Sequence, residues 1–273
     1  MPLAVCATPI GNLADVTLRV LDELRTADAV LCEDTRHTQV LLDRHGIRAR
    51  RLVSLHRHNE GRRVRELLPL MLEGERHALV SDAGLPGVND PGARLVAAAL
   101  GAGVPVTVLP GASAVETALV GSGLGSASGY RFLGYLPRRE AELEALCRES
   151  TTWPYAAVAF ESPRRLARSL ATLARIDPGR GAAVCRELTK RYEEVVRGTV
   201  AELAERFAEP VRGEVTLVLA PAEIQVAELG DAVAAVRRLV SAGASRREAA
   251  DVVSALAHVS RNALYRASLD RPD

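Results

Sequence analysis

ALVSDAGLPGVNDPG, residues 78–92, joins an apolar run to a wide loop built on three glycines and two prolines. The run Ala78-Leu79-Val80 ends in Ser81-Asp82, and the helical pattern ARLVAAALGAG follows at 93–103. This is the pattern of a buried strand, a loop at its carboxyl end and a helix. Open α/β sheets bind ligands in the crevice outside the carboxyl ends of their strands. The glycines let backbone approach a partner closely, and Pro86 and Pro91 stiffen the path. Asp82 is the carboxylate at the strand end, placed to hydrogen-bond a ligand. The plainer alternative is a long turn with Asp82 as its local cap. Two similar loops elsewhere in the chain favour the ligand.

Those loops are TPIGN (8–12), after the apolar run 3–7, and PGASA (110–114), after the strand pattern VPVTVLP at 104–110. Further strands are read at 28–32 and 51–55. Helices are read at 17–25, from about 35 to Gly46, at 60–73 and at 91–103. Strands alternate with helices, so this half is α/β with a largely parallel sheet. The three loops then converge on one sheet edge. The pocket they make has backbone donors, the Asp82 carboxylate, the Ser113 hydroxyl and apolar walls from Ile10 and Leu85. It suits a neutral-to-cationic ligand with a nucleoside end. A phosphate ligand calls for Lys, Arg or a helix N-terminus instead.

The glycine- and serine-rich stretch 121–129 reads as a linker. After it come YRFLGYLPRR, a helix at 139–150, a strand at 155–160, a helix at 162–175 and a strand at 182–186. A further strand near 193–197, a helix at 199–209 and a strand at 215–219 complete a second α/β unit. Beyond Pro221 the pattern is helical. Ser245 with Glu248 forms a capping box for a helix at 246–258, and Ser260 caps another at 261–269. Arg237, Arg238, Arg246, Arg247 and Arg261 fit either a helix-turn-helix-like module or, the favoured reading, a helical cap with a solvated arginine face.

The composition excludes several classes of function. With 48% apolar residues among 273, a large core forms and disorder is excluded. Aromatic residues at 3% argue against rows of stacking rings for single strands. A net charge of +1 gives no global basic field, so any RNA contact is local. Cys6, Cys32, Cys147 and Cys185 form no C-x-x-C pair and read as reduced core residues of a cytosolic protein. The N-terminus lacks a basic n-region, and the apolar stretch 95–124 is broken by Gly and Pro, so neither a signal peptide nor a membrane span is expected. No G-x-G-x-x-G follows the first strand, and no P-loop, zinc motif or G-x-S-x-G elbow occurs.

Four polar clusters sit at strand ends. Glu33-Asp34-Thr35-Arg36-His37 holds more ionisable groups than capping by Asp34 or Thr35 needs. His56 and His58 share one face of an extended segment. Metal ligation lacks a third ligand there, and contact with an anionic substrate is the favoured alternative to plain exposure. Glu161-Ser162-Pro163-Arg164-Arg165 and Arg186-Glu187-Leu188-Thr189-Lys190-Arg191 carry guanidinium groups that grip phosphodiesters, or form ion-paired surface. Of 35 basic residues only Lys190 is a lysine. A lysine loses its proton when buried, which arginine does not.

TPIGNLADVTLR, EDTRHT, SDAGLPGVNDPG, PGASA, FLGYLPR, FESPRR, RELTKRYEE, RGTVAEL and GEVTLVL occur in that order from Thr8 to Leu219. Together they resemble the ribosomal RNA small subunit methyltransferase I family, the 16S rRNA cytidine 2′-O-methyltransferases of the tetrapyrrole methylase superfamily. The resemblance implies a two-domain, class III methyltransferase α/β fold with a small helical C-terminal domain, bounded at 1–121, 130–222 and 230–273. It implies S-adenosylmethionine in a cleft, S-adenosylhomocysteine as product and no metal. It implies a cytoplasmic homodimer acting on a decoding-centre cytidine of 16S rRNA in the small ribosomal subunit. Carried over by motif, Pro9, Ser81, Asp82, Ala83, Leu85, Ser113 and Ala114 line the methyl donor, and Phe160, Glu161 and Leu188 meet it from the second domain. Leu85 stands where the family pattern usually has Thr, and Ala112 where Pro is common.

Under that reading a ribose hydroxyl attacks a sulfonium methyl and needs a base or a positioned charge. Lys190, if desolvated, is one base, and Glu33, Asp34 and Glu161 are alternatives. If Lys190 is the base, Lys190→Arg abolishes turnover and leaves donor binding intact. Arg36, His37, His56, Arg62, Arg63, Arg138, Arg164 and Arg165 are expected on RNA phosphates. The competing readings are a C-methyltransferase of tetrapyrroles and a non-catalytic RNA-binding ribosome factor.

Overall fold

Leu3, Ala4, Val5 and Cys6 are all buried because their strand, β1 (Leu3–Cys6), lies inside a sheet with helices on both faces. The computed structural model describes residues 2–222, 228–257 and 259–269. They form two compact units. One joins Met1–Arg148 to Tyr155–Pro221, and the other joins Glu149–Pro154 to Ala222–Asp273.

The first unit holds two five-stranded sheets. In the first, β2 (Ala29–Cys32), β3 (Leu52–Ser54), β4 (His77–Val80) and β5 (Val106–Leu109) join β1 in the order β3-β2-β4-β1-β5, all parallel. The two-residue period of the strands sorts the core. Ala4, Cys6, Val30 and Val80 pack on α1 (Leu18–Thr26) and α2 (Thr35–Arg44) through Val20, Leu24, Leu41 and Leu42. Leu3, Val5, Leu31 and Leu79 pack on α3 (Glu60–Leu72) and α4 (Ala93–Gly101) through Leu67, Met71, Leu95 and Ala99. Each fully buried leucine contributes about 1.5–3 kcal/mol. Helix α1 starts where Thr17 Oγ1 accepts the Val20 N–H at 3.2 Å, a cap contributing about 1 kcal/mol.

The second sheet has the order β6-β7-β10-β8-β9, from β6 (Tyr130–Tyr135), β7 (Ala156–Glu161), β8 (Gly181–Arg186), β9 (Glu194–Thr199) and β10 (Val215–Leu219). Only β6 and β7 run parallel; β10 and β9 pair antiparallel. Strand β6, from the stretch YRFLGYLPRR to which the sequence reading gave no element, forms its edge. Helix α5 (Ala114–Ser122) follows the first sheet in sequence but buries Val115 and Ala118 against Val158, Ala183 and Val218 of the second. Beyond that sheet's strands the unit contains α6 (Glu140–Ser150) as far as Arg148, α7 (Leu166–Ile176) and α8 (Val200–Arg206), the last opened by a Thr199–Glu202 capping box.

The second unit buries Val233, Val236, Ala249, Ala250, Val253 and Leu264 between α9 (Leu229–Ser241), α10 (Arg246–Ala257) and α11 (Arg261–Leu269). Glu248 and Ser245 form the expected box at the start of α10. His258, the last residue of the expected 246–258 helix, lies outside the described residues, as do 270–273. Arg237 donates to Ala267 O, Arg246 to Ser268 O, and Arg261 pairs with Asp251. Three of the five arginines thus bond within the unit. No helix among the described residues is long and apolar enough to cross a membrane.

Candidate active site

Because β4, β1 and β5 are neighbours and parallel, the loops that leave them meet. Thr8 and Gly84 exchange backbone hydrogen bonds of 2.8 and 3.0 Å, and Thr8 Oγ1 donates to Ser81 O at 3.0 Å. Gly84 has φ of +79°, and a Cβ there would lie 3.7 Å from Ala112 O of the third loop. Ser81 is buried and spends its hydroxyl on Gly84 O at 3.0 Å. The far end of the 78–92 loop is pinned by Glu60, a buried acid whose Oε1 accepts from Gly92 N and Arg94 N, both at 3.0 Å.

From the second sheet, the loop after β8 closes the ring. Glu187 and Thr189 there have φ of +49° and +64°, costing about 1–3 kcal/mol each and held by their surroundings. Thr189 Oγ1 accepts from Asn12 N at 3.0 Å. Phe160 stands between Phe132, with ring centroids 5.0 Å apart, and Tyr135, at 5.6 Å.

These elements enclose a cavity of about 850 Å³. Of the residues expected on a methyl donor, Asp82, Ala83, Leu85, Ser113, Ala114, Phe160, Glu161 and Leu188 line it, with Ile10, Phe132 and Tyr135. Pro9 and Ser81 are buried behind the lining and shape the loops. Six carboxylates, Glu33, Asp82, Asp90, Glu116, Glu161 and Glu214, reach the cavity, and no Lys, Arg or His lines it. Such a wall repels phosphate and attracts a cation. The size falls within the range of small-molecule sites. Apolar walls, backbone polar groups and an anionic rim fit S-adenosylmethionine, which carries an adenosine and a sulfonium.

The expected catalytic residues separate. Lys190 does not line the cavity. Its Nζ pairs with Glu187 Oε1 and Glu214 Oε2, both at 3.0 Å. Burial lowers its pKa, but the two carboxylates outweigh burial and raise it above the ordinary lysine value. The desolvated, neutral base expected from the sequence is therefore a clamped cation. Asp34 caps α2 and chelates Arg36, which brings its pKa down to about 2. Glu161 is buried, accepting from Ser169 Oγ at 2.5 Å and from Ser162 N, and pairing with Arg165. Of the four expected groups only Glu33 faces the cavity with a carboxylate free of hydrogen bonds among the described residues.

Asp90, Glu116 and Tyr130 also line the cavity; the first lies within the SDAGLPGVNDPG motif, and none of the three had been given a role. Glu116 accepts from Ser113 Oγ and from Tyr130 Oη at 2.5 Å. Those bonds outweigh burial and lower its pKa. Asp90 is raised to about 6 by burial, then by the charge of Glu33, against the pull of Arg57.

The expected RNA contacts divide similarly. Arg36, His37, Arg62, Arg138 and Arg164 are exposed. His56 is half-buried, its Nδ1 accepting from His58 N at 3.2 Å. Arg63 is turned inward onto Ser54 O at 3.0 Å and Glu66 at 2.7 Å. Arg165 grips Leu136 O at 3.2 Å and the Glu161 carboxylate. Those two arginines are held by the fold and have little to offer a phosphate. Among the described residues no group of three or more His, Cys, Asp or Glu is arranged around a metal position.

The sequence profile described as Tetrapyrrole (Corrin/Porphyrin) Methylases matches residues 2–204. The chain is 45% identical over 267 residues to a protein of Micromonospora olivasterospora named ribosomal RNA small subunit methyltransferase I, covering 96% of this chain and 85% of that one. A protein of the same name from Mesorhizobium japonicum is 43% identical, with 99% and 92% covered. Among solved structures, uroporphyrin-III C-methyl transferase from Thermus thermophilus complexed with S-adenosyl homocysteine has a TM-score of 0.57 at 20% identity, over 81% of this chain and 97% of that one. Diphthine synthase has 0.61 at 18% identity, over 80% and 89%. At these identities the two structures establish the fold alone, a mixed α/β architecture. Profile and relatives together establish the family: the chain belongs to the ribosomal RNA small subunit methyltransferase I family of tetrapyrrole methylases.

Proposed function

We propose that this chain is an S-adenosylmethionine-dependent methyltransferase that methylates the ribose 2′-hydroxyl of a decoding-centre cytidine in the 16S rRNA of the small ribosomal subunit. The observation that carries the reading is the cavity: apolar, adenosine-sized, ringed by carboxylates and bare of cationic side chains. The relatives' name supplies the acceptor class. S-adenosylmethionine, when bound, supplies a methyl group activated by the positive sulfur.

The chain's own residues do the rest. The 82–85 and 110–114 segments present backbone groups to the donor, with Leu85, Phe160 and Leu188 as apolar walls that exclude water. The carboxylates stabilise positive charge inside this low-dielectric space. Holding the attacking oxygen in line with the methyl group supplies much of the acceleration. Exposed Arg36, His37, Arg62, Arg138 and Arg164, with His56, serve RNA phosphates. In this reading residues 1–121 and 130–222 are the two α/β domains that meet the donor, and 230–273 is a small helical C-terminal domain. The working form in this reading is a cytoplasmic homodimer.

The test offers labelled S-adenosylmethionine with either small subunits lacking ribose methylation or a reduced tetrapyrrole. Transfer to the subunits alone supports the reading. Transfer to the tetrapyrrole, or donor binding with no transfer to RNA, overturns it.

A further inference from the structure

We propose that Asp90 is the general base that takes the proton of the attacking hydroxyl, a role that rests on the methyltransferase reading above.

The argument begins with which carboxylates are free. Glu161, Glu116 and Glu214 are each held by a donor: Ser169 and Arg165, Ser113 and Tyr130, and Lys190 respectively. Asp82 Oδ1 accepts the Asp34 N–H at 3.2 Å. A carboxylate already held by donors is a weaker base. Among the described residues, Glu33 and Asp90 are the two cavity carboxylates with no donor on either oxygen, whereas Asp82 and Glu214 each have one oxygen engaged.

Asp90 sits in a loop that is held on both sides. Pro91 follows it, and Asn89 before it sits at φ of +68°. Arg57 donates to Asn89 O. The Asn89 side chain lies against Gly134 of β6, where a Cβ would come within 3.3 Å of Oδ1. Glu60 fixes the chain beyond the proline by accepting from Gly92 N and Arg94 N. The loop is pinned on both sides of the acid, as a positioned base requires.

Its place along the sheet also fits. The order β3-β2-β4-β1-β5 puts the donor-side loops after β4, β1 and β5, and the polar segments EDTRH and HRHN after β2 and β3. Asp90 belongs to the β4 loop, at the boundary between the two. It is joined to the β3 side by Arg57 and feels the charge of Glu33 from the β2 side.

The charged groups acting on Asp90 are Glu33 from the β2–α2 loop, Asp82 from its own loop and Arg57 from the β3–α3 loop; β6 meets the loop through Gly134. Burial and the two acids bring its pKa to about 6, where a carboxylate is ionised at neutral pH yet basic enough to take a proton. In the step, the O–H bond breaks and its proton passes to Asp90. The new O–C bond forms as the C–S bond breaks, its electron pair staying on sulfur. The carboxylate and the sulfonium are neutralised together.

The test measures single-turnover methyl transfer to subunits from about pH 5 to about pH 9, with S-adenosylhomocysteine affinity measured alongside. For Asp90→Asn the rate should fall by about 10²–10⁴-fold while that affinity stays within about twofold. The acid limb of the wild-type profile should have its midpoint near the Asp90 pKa and move to lower pH in Glu33→Gln. Carboxyl-carbon NMR titration of the wild-type protein reads the same midpoint without turnover. A rate in Asp90→Asn within about tenfold of wild type, or an Asp90 resonance titrating at the ordinary value of about 3.9, overturns the proposal alone. A wild-type protein that binds donor and never methylates RNA overturns the acceptor reading and this role with it.

Discussion

Thr8 and Gly84 are locked to each other by two backbone hydrogen bonds of 2.8 and 3.0 Å, though 76 residues separate them. The pair turns two strand-end loops into one rigid wall, and the wall is one side of the cavity. The site's geometry is therefore set by backbone, which makes glycine positions the sensitive ones.

Gly11 is the sharpest case. A Cβ there would sit 2.5 Å from Lys190 Cγ, 2.7 Å from Leu188 O and 2.7 Å from Thr189 Oγ1. Gly11→Ala should push the two loops apart, cost about 1–3 kcal/mol of stability and weaken S-adenosylhomocysteine binding at least tenfold. Urea unfolding and calorimetric titration measure both, and unchanged values would show that the loops do not depend on this contact.

Glu161 should behave as structure rather than catalyst. It is buried, with Arg165, Ser169 and Ser162 as partners. Removing one partner of a buried pair costs about 3–5 kcal/mol. Glu161→Gln should lower the unfolding midpoint sharply while the turnover of the remaining folded protein stays within about tenfold. A stable variant with no turnover would return Glu161 to the catalytic set.

Lys190 gives a pH prediction. Its folded pKa is raised by Glu214 and Glu187 against the effect of burial. The clamp's contribution to stability is therefore complete below the ordinary lysine value and is lost as pH rises through the higher folded value. The stability difference between wild type and Lys190→Met should be constant from neutral pH to about 10 and shrink above the ordinary lysine pKa of about 10.4. Lys190→Arg, which keeps the cation, should retain turnover; abolished turnover with normal donor binding would restore lysine as the base.

Arg164 is exposed, whereas among the described residues the Glu161 carboxylate pairs with its neighbour Arg165. Arg164→Ala should reduce the salt dependence of RNA binding by a slope of about 1 with donor affinity unchanged. An unaltered slope would remove it from the RNA surface.

Much of this was legible in the sequence because the informative positions are short and local. The run 78–92, with TPIGN and PGASA, announces three strand-end loops, and a parallel sheet leaves them only one place to meet. What stayed hidden was non-local. The segment of β6 received no strand assignment from its sequence, and it gains its order from pairing with β7. The address of α5 on the second sheet depends on Val158, Ala183 and Val218, far along the chain. The chemistry of Lys190 could not be read from its rarity, since Glu214 lies 24 residues away in sequence and only 3.0 Å away in space. The role of Asp90 could not be read from SDAGLPGVNDPG, because its isolation from donors is a property of the folded loop.

The most direct measurement is the mapping of the methyl group. Small subunits lacking ribose methylation are incubated with this protein and labelled S-adenosylmethionine, the 16S rRNA is hydrolysed in alkali, and the resistant position is identified. The account predicts one labelled linkage, at a cytidine of the decoding centre, carrying the methyl on its ribose. Label on a base, at scattered positions, or absent from the RNA while the donor binds would contradict it.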